Sequence, residues 1–150
     1  MIRFAALSDR DRIVALLKAS RDAAGFDRAS GFCFPYDAAY AVRLFAGHIA
    51  RADALCIVYV PEEIPQGVLM AIAHEHPFGA VKIARETVWW VDPAHRGSAA
   101  MRMLDAYEAW AHAQGCRFVG MVGMGEDPDV GKLYRRRGYT AAELHFLKAI

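Results

Sequence analysis

The segment from Val91 to Leu104, VDPAHRGSAAMRML, combines residue types that could bind an anion. An apolar run ending in Trp89 and Trp90 stops at an Asp-Pro step, crosses His-Arg-Gly and turns into an alanine-rich helical pattern. Small residues allow backbone amides to approach a ligand, and the start of a helix presents free N–H groups and partial positive charge. The segment therefore predicts an anionic ligand at the helix start, although a simple strand-to-helix connection would use similar residues.

Glu86 is an acidic side chain on the strand that leads to this turn. A period of two predicts that Val88 and Trp90 lie on the same side of the strand as Glu86. A carboxylate on a sheet face beside a cleft could accept a proton directly or through water. Three residues on the preceding strand compete for this role: His74, Glu75 and His76. Each of these candidates could instead be a polar side chain that faces the solvent.

Three further patterns each allow two interpretations. The glycines of 120-GMVGMG-125 resemble half of a dinucleotide loop, but the βαβ context is missing, and room for a bound molecule at a strand end explains them better. The run Arg135-Arg136-Arg137 could approach a phosphate, but we favour a solvated helix end that is well placed against the helix dipole. The aromatic stretch 32-FCFPY-36 could roof a pocket or form core between the first two helices.

Composition limits the kinds of partner and location. Eighteen basic against seventeen acidic side chains give a net charge of +1, so we expect no nucleic-acid or membrane partner. Apolar runs such as 54-ALCIVYV-60 and 67-GVLMAIA-73 are too short to span a bilayer, and no secretory signal opens the chain. The cysteines Cys33, Cys56 and Cys116 lack metal-ligand spacing, which favours reduced thiols in a cytoplasmic protein without a metal.

Apolar periodicity predicts one domain over residues 1–150, because no repeat, linker or low-complexity segment interrupts it. The predicted order is β-α-α-β-β-β-α-β-α-β, an α/β domain around a mixed sheet. Strands are predicted over residues 1–7, 54–60, 67–76, 82–91, 116–122 and 139–147. Predicted helices begin at a Ser8–Asp11 capping box, at an Asp37 N-cap, at residue 97 and at Asp127-Pro128, and the last two are closed by Gly115 and Gly138.

Four motifs then occur in order: 91-VDP-93, 96-RGSAAM-101, 133-LY-134 and 138-GY-139. Together they resemble the GNAT superfamily of acyl-CoA-dependent N-acetyltransferases. In that family a strand ends in V-x-P, an Arg/Gln-x-x-Gly-x-Gly/Ala turn opens a long helix, and a Leu-Tyr pair and a Gly-Phe/Tyr step follow. Two glycine positions of the turn hold Ala99 and Met101 here, so the chain resembles a variant of the motif that some phage-associated members carry.

The resemblance implies a GNAT-like fold, acetyl-CoA as cosubstrate, and direct attack by a primary amine without a covalent enzyme intermediate. The acceptor is implied only as a small-molecule amine or a protein amine. The cosubstrate-binding residues it implies are Trp90, Val91, Arg96, Gly97, Ser98, Ala99, Ala100 and Met101. Tyr134 takes the place of the family's general acid, and a phenol with a pKa of about 10 can donate a proton to a thiolate.

Alternatives remain open at the level of sequence. Tyr134 could be a packing aromatic, and Glu86 need not act as a base, because many family members use a chain of waters. The substituted glycines also allow a second hypothesis, in which the chain is a non-catalytic acyl-CoA-binding, phage-structural or partner-binding module. Dimers are frequent in the family, so a homodimer is an expectation of the resemblance, while the sequence itself does not give the oligomeric state.

Overall fold

A computed structural model describes residues 1–24, 34–123, 130–143 and 145–150. Five strands form one sheet in the order β1-β2-β3-β4-β5. They are β1 (Ile2–Phe4), β2 (Ala54–Tyr59), β3 (Gly67–Glu75), β4 (Lys82–Val91) and β5 (Phe118–Gly120). The helices are α1 (Arg10–Ala23), α2 (Ala38–Ala50), α3 (Ser98–Ala113) and α4 (Gly131–Arg136). The first four strands pair antiparallel and β5 pairs parallel to β4, so the predicted α/β class with a mixed sheet is confirmed.

Helices cover both faces of the sheet, which explains why β2 and β3 read as nearly continuous apolar runs. One set of alternate side chains packs against α3, and we call this the α3 face: Leu55, Ile57, Leu69, Ala71, Ala84 and Val91 on the strands, with Met103, Leu104 and Tyr107 on the helix. The other set packs against α1 and α2, the α1/α2 face: Cys56, Val58, Val68 and Met70, with Ile13, Leu16 and Phe45 on the helices. Burial on two faces supplies most of the stabilisation of such a domain.

The predicted start of α2 at Asp37 and end of α3 at Gly115 are confirmed, whereas the predicted start of α1 is not. The Asp37 carboxylate caps α2 by accepting a hydrogen bond from the Tyr40 N–H at 3.0 Å. Gly115 follows α3 with φ +74°, the left-handed conformation that glycine adopts most easily. The predicted capping box at Ser8 is wrong, because Asp9 accepts from the Ala6 N–H at 2.8 Å and pairs with Arg3. A single 3-10 turn, Leu7–Asp9, therefore precedes α1.

The C-terminal segment departs most from the prediction. Residues 139–143 and 145–150 form no regular secondary structure, so the strand predicted over Tyr139–Leu147 is wrong for the described part of that segment. Gly138 nevertheless closes α4 with φ +85°, as predicted. The Asp127-Pro128 helix start lies outside the described residues. None of the helices in the described ranges has the length and apolar content needed to cross a bilayer.

Candidate functional site

The central feature of the site is the divergence of β4 and β5. The two strands pair in parallel over only three residues each, Ile83–Arg85 and Phe118–Gly120. From Glu86 onward, no strand in the described part of the chain pairs with β4 on that side. The outer half of β4 therefore diverges from β5, and we call the region between them the opening; α3 begins at one end of it. An opening between parallel strands that separate is a common place for a ligand in mixed α/β sheets.

A β-bulge decides which side chains face this opening. Met70 pairs with Val88 and Ala71 pairs with Glu86, which leaves Thr87 as the unpaired extra residue of β4. The prediction that Glu86 shares a side with Val88 and Trp90 is therefore wrong, because an extra residue reverses the alternation of side chains. Glu86 lies opposite Ala71 on the α3 face, whereas Val88 and Trp90 pack with the α1/α2 face.

The bulge is held from the other side of the sheet by His48 of α2. The buried His48 ring has its Nδ1 at 2.8 Å from the Leu44 carbonyl oxygen and its Nε2 at 3.2 Å from the Thr87 hydroxyl. Because a carbonyl oxygen only accepts, Nδ1 carries a hydrogen and donates it to Leu44, while Nε2 is within hydrogen-bond distance of the Thr87 hydroxyl. His48 and Thr87 lie 39 residues apart in the chain, so no local sequence pattern indicates this contact.

Glu86 occupies the inner end of the opening. Its carboxylate accepts a hydrogen bond from the Val122 N–H at 3.0 Å, just beyond the end of β5. Burial raises the Glu86 pKa from 4.5 to about 7, and the hydrogen bond from Val122 opposes that rise. A carboxyl group with a pKa close to neutral pH is suited to accept and return a proton.

Tyr134 of α4 reaches the same peptide from the other side. Its hydroxyl donates to the Val122 carbonyl oxygen at 2.9 Å. Its ring packs against Trp89 with a centroid distance of 6.1 Å and against Tyr139 at 5.7 Å. Burial first, and then the negative charge of Glu86, raise the Tyr134 pKa, so the phenol keeps its proton across the neutral range. The two predicted catalytic residues are thus brought together on the backbone of Val122.

The predicted anion-binding turn lies at the outer end of β4. Gly97 precedes α3 with φ +92°, and a Cβ added there would meet no atom within 4 Å. The first hydrogen bond of α3 runs from the Met101 N–H to the Gly97 carbonyl oxygen, so the earlier amides have no intrahelical partner. Gly97 and Ser98 are exposed. The helix start is therefore open to a ligand from solution.

Arg96 stands beside that open helix start. Its Nε donates to the Val91 carbonyl oxygen at 3.1 Å, and its guanidinium carbon lies 4.9 Å from the centre of the Trp90 ring. The Trp90 indole N–H in turn donates to Asp92 at 3.0 Å, and Asp92 pairs with Arg12 of α1. These contacts fix an exposed cation next to free backbone N–H groups, an arrangement that suits a phosphate or diphosphate.

Comparison with known proteins identifies the family. The profile of the acetyltransferase (GNAT) family matches residues 16–139 of the 150. The chain belongs to this family. No curated protein matches the chain at a significant level.

Solved structures agree with the GNAT assignment at the level of the fold. AAC(6')-Iy in complex with the bisubstrate analogue CoA-S-monomethyl-acetylneamine is 13% identical with a TM-score of 0.80, over 100% of this chain and 97% of that one. Ribosomal-protein-alanine N-acetyltransferase from Brucella melitensis biovar Abortus 2308 is 16% identical with a TM-score of 0.74, over 100% and 99%. A transcriptional regulator from Bacillus halodurans C-125 is 19% identical with a TM-score of 0.77, over 100% and 99%.

The two substituted glycine positions of the GNAT turn differ in their surroundings. Ala99 is only 1% exposed and packs into the core against α3 neighbours, and Met101 is half-buried. Ala100 is also half-buried. The Ala99 methyl group therefore points away from the exposed surface at Gly97 and Ser98, and the variant residue does not fill the open helix start.

The other residues that the sequence offers as a base lie away from the opening between β4 and β5. His74, Glu75 and His76 are at the far end of the β3–β4 hairpin, where the His76 ring packs on Phe78 at 4.8 Å. They are therefore weaker candidates for a base than Glu86. In the described ranges, no group of three or more His, Cys, Asp or Glu side chains could hold a metal ion.

Arg137 and Tyr36 take structural roles rather than the ligand roles considered for their motifs. Arg137 forms ion pairs with Asp105 at 2.6 Å and Glu108 at 2.7 Å, which tie α4 to α3. Tyr36 donates its hydroxyl to the Val14 carbonyl oxygen at 2.8 Å and packs with the α1/α2 face. Phe32 and Cys33 of the same aromatic stretch lie outside the described residues, as do Met124 and Gly125 of the glycine-rich stretch.

The backbone at Gly97 gives a testable prediction. We expect Gly97→Ala to lower the free energy of unfolding by about 1–2 kcal/mol, because a side chain is strained at this positive φ. Affinity for a ligand with phosphate groups should fall as well, since the turn would change its conformation to relieve the strain. Thermal unfolding and calorimetric titration with CoA measure the two effects.

Gly47→Ala is the matched control. Gly47 lies inside α2 and also has no atom within 4 Å of an added Cβ, but its backbone is helical. Alanine there should stabilise the protein by about 0.5–1 kcal/mol and leave CoA affinity unchanged. Equal stability of Gly97→Ala and the parent protein would show that the turn is not constrained.

Proposed function

We propose that this protein is an acyl-CoA-dependent N-acyltransferase that transfers the acetyl group of acetyl-CoA to a primary amine. The observation that carries the proposal is the convergence of Glu86 and Tyr134 on Val122 where β4 and β5 separate. The open start of α3 and Arg96 lie at the other end of the same strand segment. β4 thus runs from the residues proposed for proton transfer to the turn proposed to bind a diphosphate.

The residues present suit the steps of direct transfer. Glu86 removes a proton from the ammonium of the acceptor or from a water that relays it. The amine nitrogen then attacks the thioester carbonyl carbon and, now positively charged, loses its second proton to water. The C–S bond breaks as the tetrahedral intermediate collapses. Tyr134 gives its proton to the departing sulfur, which yields the amide and free CoA. The proton taken by Glu86 passes to solvent, and Tyr134 is reprotonated from solvent.

The cosubstrate assignment rests on the hydrogen-bond donors and positive charge that the open turn offers to a CoA molecule. The amides of Gly97, Ser98, Ala99 and Ala100 offer donors and a positive helix end to the diphosphate, whereas the Met101 amide already bonds to the Gly97 carbonyl oxygen. Arg96 adds charge-assisted hydrogen bonds. The backbone of Trp90 and Val91 borders the opening through which the rest of the molecule would extend toward Glu86. The bisubstrate analogue carried by one solved structure of this fold, which contains CoA and acetylneamine, supports an amine as acceptor.

A stability measurement tests the cosubstrate proposal. We expect acetyl-CoA at a hundredfold excess over its Kd to raise the free energy of unfolding by roughly 2.7 kcal/mol, which is several degrees in Tm for about 150 residues. Pantetheine without the nucleotide should give a much smaller shift, because it lacks the diphosphate. No shift at millimolar acetyl-CoA would contradict the proposal.

A non-catalytic acyl-CoA-binding module is the second candidate, and the alanine and methionine at the glycine positions of the turn favour it. Thioester consumption in the presence of a panel of amines separates the two candidates. Release of free thiol with at least one amine, above the rate of spontaneous hydrolysis, supports the transferase. Binding of acetyl-CoA without thiol release for small amines, antibiotics and peptide N-termini supports the module.

A further inference from the structure

Trp89 lies at the opening between β4 and β5 and is neither the base nor the acid of the proposed reaction. It lies opposite Leu69, on the same α3 face as Glu86. Its ring and the Tyr134 ring are nearly parallel, with an interplanar angle of 30° and 6.1 Å between centroids. Trp89 is therefore in contact with the proposed acid, on the stretch of β4 between Glu86 and the anion-binding turn.

The indole N–H of Trp89 is a buried donor without an acceptor. Its Nε1 is covered, and no residue in the described ranges accepts a hydrogen bond from it. The adjacent Trp90 shows the usual arrangement, with its indole N–H bonded to Asp92 at 3.0 Å. Buried polar groups are nearly always paired, and an unpaired one calls for an explanation such as a missing water or ligand. A buried unpaired donor beside an opening is accounted for if its acceptor arrives with a ligand.

The chemistry of the indole restricts what that acceptor is. The group donates only, so it pairs with an oxygen that has free lone pairs and not with an ammonium. The diphosphate is taken by the turn at Arg96 and Gly97, further along the chain. Between the diphosphate and the reactive carbon, acyl-CoA carries amide carbonyls in its pantetheine arm and the thioester carbonyl itself.

We infer that the Trp89 indole N–H binds a carbonyl oxygen of the acyl-CoA arm, and so helps to place the thioester between Glu86 and Tyr134. This inference rests on the proposed function. Part of the Trp89 ring is exposed while its nitrogen is covered, so the groups over the nitrogen move aside on binding. Side-chain changes of that kind are common when ligands bind.

Two versions of the protein test the inference by calorimetric titration. Trp89→Phe keeps an aromatic ring beside Tyr134 and removes the donor. Incorporation of benzothienylalanine at the same position keeps the size and shape of the indole and removes only the N–H. We expect the affinity of both versions for acetyl-CoA to fall by about three- to tenfold. The benzothienyl version without ligand should melt no lower than the parent protein, because it loses an unpaired donor.

The control is Trp110→Phe, which removes another indole at a distance from the opening. Trp110 lies on α3 and packs on Tyr107 at 6.3 Å, and its replacement should leave acetyl-CoA affinity unchanged. Free CoA, which lacks the thioester, identifies the acceptor. A loss of affinity for both CoA and acetyl-CoA assigns a pantetheine amide, whereas a loss for acetyl-CoA alone assigns the thioester carbonyl.

Results that overturn the Trp89 inference can be told apart from failure of the proposed function. If the parent protein binds acetyl-CoA and the benzothienyl version binds it equally well, the Trp89 inference is overturned while the transferase proposal stands. A lower Tm of the benzothienyl version with unchanged affinity would mean that the indole pairs with a structural water, and would overturn it too. If the parent protein binds neither CoA nor acetyl-CoA, both proposals fall together.

Discussion

Replacement of Glu86 by glutamine is expected to lower kcat/KM for acetyl transfer by about 10²- to 10⁴-fold. Glutamine has the same shape and still accepts the hydrogen bond that the Val122 N–H donates at 3.0 Å, so the opening keeps its geometry. What disappears is the ability to take a proton from the attacking amine. Initial-rate kinetics with any accepted amine measure the loss.

The pH dependence of the parent enzyme follows from the Glu86 pKa of about 7. Only the ionised carboxylate accepts a proton, so kcat/KM should rise with pH and level off above about pH 7. The Glu86→Gln variant should lack this limb. A weakly basic amine is the best acceptor for this measurement, because its own pKa then lies below the pH range in which Glu86 ionises. An unchanged profile in the variant would show that water alone relays the proton.

Glu86→Gln, which lowers activity, should raise the stability of the folded protein above neutral pH. The Glu86 pKa is raised on folding, so the folded state favours the neutral carboxyl, and stability is lost as pH rises from about 4.5 through about 7. Above that range the charged carboxylate costs up to roughly 3 kcal/mol. Glu86→Gln removes this cost, and we expect it to melt higher than the parent protein at pH 8 and equally at pH 4.

Glu75→Gln is the control for the stability measurement. Glu75 is an exposed carboxyl at the end of β3, so its amide variant should melt like the parent protein at both pH values. A gain in stability and a loss of activity from one substitution would mark Glu86 as a group kept for its chemistry. Equal melting of the Glu86→Gln variant and the parent protein at pH 8 would contradict the raised pKa.

Local patterns in the sequence predict the parts of the site that depend on nearby residues. The Val-x-Pro end of β4, Gly97 and the long apolar face of α3 lie within one continuous segment, so their order already defines an open helix start. Tyr134 is predicted because the Leu-Tyr pair and the Gly138-Tyr139 step resemble a family motif. Its hydrogen bond to Val122 is a tertiary contact that no local pattern contains.

The errors arise where a distant partner decides the outcome. The bulge at Thr87 arises because the neighbouring β3 residues Met70 and Ala71 pair with Val88 and Glu86, which are two positions apart in β4. A period of two within β4 cannot show the bulge, because it contains no information about the partner strand. The sequence shows Trp89 only as part of an apolar run. Its unpaired N–H depends on the groups that surround it in three dimensions, which no local pattern contains. The final strand is predicted from the local pattern after Gly138, but a strand forms only where another strand offers hydrogen bonds.

Replacement of Tyr134 by phenylalanine is expected to lower kcat by about 10²-fold or more, since general acid catalysis contributes on that scale. The ring contacts with Trp89 and Tyr139 persist, so the substitution removes only the proton donor and its bond to Val122. Because burial raises the Tyr134 pKa, the phenol stays protonated through the assay range, and the parent enzyme should show no loss of kcat up to about pH 10.

Tyr139→Phe separates this chemical effect from the structural one. The Tyr139 hydroxyl donates to Glu108 at 3.0 Å, and its loss should cost about 1 kcal/mol of stability, as should the loss of the Tyr134 bond. The two variants thus become less stable by similar amounts, while only Tyr134→Phe loses turnover. Equal and small losses of kcat in both would mean that the leaving sulfur takes its proton from water, and that Tyr134 holds the end of β5 in place without serving as the acid.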